Sequence, residues 1–266
     1  MPGTYRGPIQ LVVLDFAGTL VDGPQDLRDQ YPEDDGLGVK APIIAFTETL
    51  REWGIDLSWE QLREPMGRYK RDHLRVLLES AEGRRQFEHE HDREWNEGDI
   101  DEMMEVFRSV QEEVIVREEL AKPITGAKET IDTLQRHGKA LANTTGYTEA
   151  AAEALDAKLR EEYDIHLDFV THSDNVKAGR PAPWMIQQGM RALDVERADA
   201  VVKVGDTTLD IEEGVNAGVW TVGLYSSGND DFDALRDAGA DYLVPSISEL
   251  PQVIWSIEQR LLRGDQ

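Results

Sequence analysis

Six short runs along this chain are apolar or β-branched: IQLVVLDF, KALANTT, LDFVTHS, AVVKVGD, VWTVGLY and DYLVP. Each is bounded by turn residues or by charged, helix-patterned text. Runs of this kind, with little alternation, predict strands buried on both faces, as in parallel sheets. Between the later runs the pattern shifts to a helical period in AKETIDTLQRHG, TEAAAEALDAKLREEY, PWMIQQGMRALDV and LDIEEGVNAG, several of which close on glycine as helix ends prefer. Strand and helix alternate from about Pro123 onward, which predicts a doubly wound, Rossmann-like α/β fold with a parallel sheet.

Residues 23–122 break that rhythm. They contain helical text, APIIAFTETLREWG and DIDEMMEVFRSVQEEVIVREEL, but no convincing strand. The expected organisation is a core domain of residues 1–22 and 123–266 with an inserted helical domain, 23–122, rising from the loop after the first strand. Ligands bind at that end of such sheets, so the insertion is expected to form a lid. Within it, GPQDLRDQYPEDDGLG is acidic and glycine-rich and is expected to be a solvated loop. His89 and His91 in EHEHD stand two residues apart, which on a helix separates them by about 200° and prevents both from holding one ion.

Acidic residues number 53 against 28 basic ones, for a formal net charge of -25. That surface repels nucleic acids and anionic membranes, so neither is an expected partner, and an anionic ligand would need a locally positive site. Cysteine is absent, which excludes disulfides, thiolate catalysis and thiolate-bound zinc. No run approaches the roughly 18 apolar residues of a membrane span, and MPGTYRGPIQ lacks the apolar stretch of a signal peptide, so a cytoplasmic protein is expected.

The chemistry gathers at predicted strand ends. Asp15 closes the first strand, where a buried carboxylate is costly unless paired or bound to metal, and it is the nucleophile candidate. The turn Phe16-Ala17-Gly18-Thr19 can aim backbone N–H groups at a phosphoryl group. Thr144 and Thr145, with the N–H of Gly146, can hold phosphate oxygens, and Lys177 and Arg180 lie in a loop able to bring a cation there. KVGDTTLD adds Asp206 and Asp210, one turn apart at a helix start. With Asp15 they make an oxygen-rich set suited to Mg2+, although helix capping would equally explain the pair.

In the order DFAGT, ANTTG, AGRP and VGDTTLD, these motifs resemble those of the haloacid dehalogenase (HAD) superfamily. The resemblance implies a HAD-like sheet with an inserted α-helical cap, Asp15 as nucleophile, phosphate binding by a threonine and a basic residue, and an acidic pair organising magnesium. Arg180 stands where most members have lysine. Ala17 stands where phosphatase members carry the aspartate that protonates the leaving group, a role worth about 10²–10⁴-fold, so another device must stabilise what departs.

PMGRYKRDHLRVL offers one. A continuous helix would place Met66, Lys70 and His73 on one face, at i, i+4 and i+7, and a lysine amine can condense with an aldehyde to an imine that accepts electrons from a breaking bond. The plainer reading is a surface lysine. Through DFAGT, PMGRYKRDH, TTGYT, AGRPAPWM and KVGDT the chain resembles the phosphonatase branch, the phosphonoacetaldehyde hydrolases, across core and cap.

That resemblance implies an imine at Lys70, attack on phosphorus by Asp15 and Mg2+ held by Asp15, Asp206 and the Ala17 carbonyl, with Asp210 in support. It further implies that His73 and Tyr147 handle protons or position substrate, that Met66 packs beside the lysine, and that the protein is a homodimer through the cap. Two departures stand out: the acidic stretch Gln25–Leu37 is inserted, and a cysteine common near the substrate in some relatives has no counterpart. The alternatives are a hydrolase of another phosphonate or of a phosphate ester, a dehalogenase, and a non-catalytic metabolite binder.

Overall fold

A computed structural model describes residues 5–264 apart from 23–26, 28, 30, 32, 33, 35–38, 67 and 227. The six apolar runs form parallel strands β1 (Leu11–Leu14), β2 (Ala140–Thr145), β3 (Phe169–His172), β4 (Val201–Gly205), β5 (Trp220–Leu224) and β6 (Tyr242–Val244). Their order is β3-β2-β1-β4-β5-β6. The strand order reverses at β1, and Leu14 pairs with Asn143 on one side and Val204 on the other, so Asp15, Thr145 and Asp206 emerge from the same sheet edge. That edge, at the switch point, is where doubly wound sheets hold ligands.

Alternation along the strands separates two cores. Val12, Leu14, Val202 and Val204 point into a large cluster, whereas Leu11, Val13 and Val201 join a smaller one with Ala142, Ile186 and Val219.

Among the described residues, six α-helices lie between β1 and Pro123: α1 (Ala41–Glu52), α2 (Trp59–Arg63), α3 (Lys70–Glu79), α4 (Ala81–His91), α5 (Glu97–Ile115) and α6 (Glu118–Ala121). The two ends of this segment meet, since Val21 bridges Pro123 and the Ile124 N–H donates to Leu20 O at 2.9 Å. Its helices share the large cluster with the strands, with Phe46 of α1 packed 4.6 Å from Phe107 of α5. The remaining helices are α7 (Ala127–Arg136), α8 (Glu149–Tyr163), α9 (Trp184–Ala192), α10 (Thr208–Ala217), α11 (Phe232–Asp237) and α12 (Leu250–Arg263). Among the described residues no helix is long and apolar enough to cross a membrane.

Local chemistry explains the boundaries that matter to the site. Asp22 reaches across to the start of α1, where its Oδ2 accepts the N–H groups of Lys40 (2.8 Å) and Ala41 (2.7 Å), satisfying donors that a helix start leaves orphaned. A capping box joins Thr207 to Asp210 at the start of α10.

Two expectations need correction. Helix α3 begins only at Lys70, behind an extended Tyr69, and Met66 lies in the turn after α2, so Met66 is not on the lysine's helix. The helical text DIDEMMEVFRSVQEEVIVREEL is divided between α5 and α6 at Val116, which leaves helical geometry, and Arg117, which turns back to donate to Val114 O. The acidic stretch is not simply solvated: Leu27 and Asp34 are buried, and Asp34 forms a fully buried ion pair with Lys40 at 2.6 Å. A buried lysine requires such a counter-charge, which makes that aspartate structural. The other residues of the stretch that are not named here mostly lie outside the described ones.

Candidate active site

A small cavity lies beyond the strand ends, lined by Asp15, Ala17, Thr145, Gly146, Tyr147, Arg180, Asp206, Thr207 and Asn229 from the sheet side and by Val39, Pro42, Met66 and Lys70 from the helical segment. Its volume is about 30 Å³, room for one or two waters. A wider groove of about 530 Å³ beside Gln187 and Arg191 brings together no comparable set of groups.

Asp15 follows β1 and is held by a fork from Arg180, whose guanidinium donates to Oδ1 at 2.7 Å and Oδ2 at 3.3 Å. The same guanidinium donates to the Thr144 carbonyl and lies 3.0 Å from Asp210 Oδ1 and 3.4 Å from Glu213 Oε2. Arginine suits this position because one planar group presents donors to several acceptors at once. Lys177 stays exposed, stacked over Trp184, and takes no part.

Behind the site runs a buried network that the sequence reading missed. Lys203 of β4 is fully buried, and its Nζ lies 2.8 Å from Asp210, 3.3 Å from Glu213 and 2.7 Å from Thr144 Oγ1. Thr144 therefore serves this network, leaving Thr145 at the cavity. The charged residue inside AVVKVGD was the available signal, because a lysine in a buried strand must have partners.

Asp206 and Asp210 behave differently. Burial acts against it, but Arg180 and Lys203 hold Asp210 below the usual carboxylate range. Both its oxygens are engaged, Oδ1 by those cations and Oδ2 by the Thr207 hydroxyl at 2.6 Å. Asp206 is pushed well above that range by burial and by the charges of Asp210 and Asp15. Its Oδ2 accepts from the Asn229 backbone and amide, while Oδ1 is buried with no partner among the described residues.

Asp15, Asp206 and Asp210 place oxygens within 4.8 Å of one another. An all-oxygen donor set with an orphaned, protonation-prone carboxylate fits a hard dication, whose charge would relieve the repulsion.

Lys70 is 3 % exposed and its amine stands 5.5 Å from the Phe46 ring centre and 5.7 Å from that of Tyr147. Burial lowers this amine from the ordinary 10.5 to about 8, with the Asp15 charge opposing and Arg180 assisting. Tyr147 also faces the cavity, and its hydroxyl is buried with no partner among the described residues. Burial, reinforced by Asp22 and Asp15, keeps that phenol protonated.

His73 and Gly18 stand outside the lining. The His73 ring stacks on Phe46 at 3.9 Å, one layer behind Lys70, and its Nε2 lies 2.9 Å from Leu62 O. Burial, with the Lys70 charge adding, holds this imidazole neutral. Gly18 donates its N–H to Val21 O at 2.8 Å, within the turn. Its φ of +74° and the Asp206 carboxylate pressed against it explain why glycine stands there.

A family model described as haloacid dehalogenase-like hydrolase matches residues 9–218. The phosphonoacetaldehyde hydrolase of Nitratidesulfovibrio vulgaris is 34% identical over 284 residues, covering 98% of this chain and 95% of the relative. That of Parabacteroides distasonis is 34% identical over 273 residues, covering 94% and 97%. The crystal structure of a phosphonoacetaldehyde hydrolase-like protein from Oleispira antarctica matches all of this chain and 98% of its own, with a TM-score of 0.88 at 28% identity. With the parallel sheet and acidic site described above, these matches make the chain a hydrolase that belongs to the haloacid dehalogenase-like hydrolases and, within them, to the phosphonoacetaldehyde hydrolase family.

Proposed function

We propose that this hydrolase cleaves the carbon–phosphorus bond of phosphonoacetaldehyde, giving acetaldehyde and phosphate. The observation that carries the reading is the buried amine of Lys70, lowered to about 8, facing the same cavity as Asp15, Thr145, Arg180 and Asp206. A phosphatase acting on an ester has no use for an amine there, whereas an aldehyde needs one.

The Lys70 amine adds to the aldehyde carbon and water leaves, forming a protonated imine. The Asp15 carboxylate then attacks phosphorus. As that bond forms, the carbon–phosphorus electron pair moves into the iminium, giving an enamine and a phosphorylated Asp15. Protonation of the enamine carbon and addition of water release acetaldehyde and restore the amine, and a second water releases phosphate from Asp15. No general acid is required for the departing carbon during cleavage, which is why Ala17 can stand where phosphatases keep an aspartate.

Thr145, the Gly146 N–H and Arg180 bind the phosphonate oxygens, with Gly18 shaping the turn that completes this pocket. Tyr147 donates to the aldehyde-derived oxygen. Met66 and Phe46 wall the amine, and His73 supports Lys70 from behind. Held by Asp15, Asp206 and the Ala17 carbonyl, with Asp210 in support, Mg2+ would neutralise phosphonate charge as an anionic nucleophile approaches. The same reading includes a core of residues 1–22 and 123–266, a cap of residues 23–122, a cytoplasmic setting and a homodimer through the cap, the last checked by sedimentation velocity.

The test is incubation with phosphonoacetaldehyde and Mg2+, reduction with borohydride and peptide mass spectrometry, with phosphate release assayed in parallel without reductant. An adduct on Lys70 together with released phosphate is expected. Folded protein giving neither would overturn the reading in favour of a different phosphonate or a phosphate ester.

A further inference from the structure

After β5 the chain loops back over the end of β4 before entering α11, and that loop grips Asp206. The Asn229 backbone N–H donates to Asp206 Oδ2 at 2.9 Å, and the Asn229 side-chain nitrogen donates to the same oxygen at 3.1 Å. Asp230 donates its N–H to the Asp206 carbonyl at 3.2 Å, and its own Oδ2 accepts the Thr208 N–H at 2.6 Å, tying the loop to the start of α10. Gly228 lies directly against the Asp206 carboxylate, where any side chain would collide with it. Nothing in the sequence marked this loop, because its partner lies in a different strand–helix unit.

The two oxygens of a free carboxylate exchange by rotation about a broad terminal torsion. Here both donors fall on Oδ2. Oδ1 is left buried with no partner among the described residues, and Asp206 is one of the three carboxylates, with Asp15 and Asp210, whose oxygens lie within 4.8 Å of one another. The amide of Asn229 must turn its nitrogen to the carboxylate, which only accepts. Its own oxygen is then buried, with no partner among the described residues, and Asn229 lines the same cavity.

We infer that Asn229 is a positioning residue for a divalent cation: it pins one oxygen of Asp206, turns the other toward the ion, and presents its amide oxygen to a water on that ion. The inference rests on reading this site as a magnesium site. It does not depend on which phosphorus compound is hydrolysed.

The deciding experiment is calorimetric titration of metal-free protein with Mg2+, without substrate, for the wild type, Asn229→Ala and Asn229→Ser. Partners that orient a metal ligand are typically worth 10–100-fold in affinity, so Asn229→Ala is expected to raise the Mg2+ Kd by about that factor. Asn229→Ser, which retains a donor, should fall between. Melting temperatures of the metal-free proteins should fall only slightly, since the backbone N–H of residue 229 still donates to Asp206 in both variants.

The electron paramagnetic resonance spectrum of bound Mn2+ should also differ between wild type and Asn229→Ala, a change that lost stability alone would not produce. Equal Mg2+ affinities for wild type and both variants, or a wild type that binds no Mg2+, would overturn the inference. If the affinities differ as expected while phosphonoacetaldehyde is left intact, the proposed substrate fails and the role of Asn229 stands.

Discussion

At Lys70 one side chain sets both reactivity and strain. The native amine gives up its proton near pH 8, whereas the unfolded chain holds it to about 10.5. Between those values the unfolded state binds more protons, so this residue makes stability rise with pH, and below about 8 its penalty is fully present. Lys70→Met should therefore stabilise the protein at pH 7, by roughly 2 kcal/mol on the scale of replacing buried charge with apolar atoms. That gain should vanish near pH 11, as urea denaturation at the two pH values would read, and the variant should form no borohydride adduct. In the wild type, the rate of borohydride trapping should climb with pH and level off above about 8, following the unprotonated amine. A flat profile from pH 6 to pH 10 would mean that amine deprotonation does not limit capture.

At the scale of elements, β4 and α10 act together. The strand delivers Lys203 into the core, and the helix start returns Asp210 and Glu213 to meet it, with Arg180 arriving from the loop after β3. Asp210→Ala would leave two buried cations short of a carboxylate, and a loss of about 3 kcal/mol in urea denaturation is expected. Thr207→Ala removes a cap together with the hydroxyl that donates to Asp210 Oδ2, and should cost about 2 kcal/mol. The strands were legible because buried parallel strands write continuous apolar runs, and α10 because its cap and glycine end are local signals. The start of α3 was not legible: a helical period drawn through Pro65 and Gly67 joined Met66 to a helix that begins at Lys70. Met66 nevertheless reaches the cavity, because the turn after α2 folds it there.

On the scale of the whole molecule the site is narrow. A space of about 30 Å³ is smaller than the substrate proposed above, so productive binding is expected to move the helical segment from the sheet edge. Polar contacts across that boundary include Tyr69 Oη to Asp174 at 3.3 Å and the Thr148 N–H and hydroxyl to Gln111 Oε1 at 3.0 and 3.1 Å. The chain has no cysteine, so Tyr69→Cys with Asp174→Cys gives a background-free pair for a short bismaleimide. Bridged protein should lose phosphate release while the unbridged double variant keeps it. Full activity after bridging would show that the substrate enters without this separation.

Pattern and motif alone determined the α/β class, the helical insertion, the strand ends and the carboxylates, threonine and arginine placed there, because burial and turn chemistry are written over a few neighbouring residues. Tertiary structure alone decided which oxygen of Asp206 is left open, that Lys203 and Glu213 brace Arg180 and Asp210, that His73 stands behind Phe46, and that Lys70 faces Asp15. Those relations join groups far apart in the chain, and their geometry exists only once the helical segment packs onto the edge of the sheet.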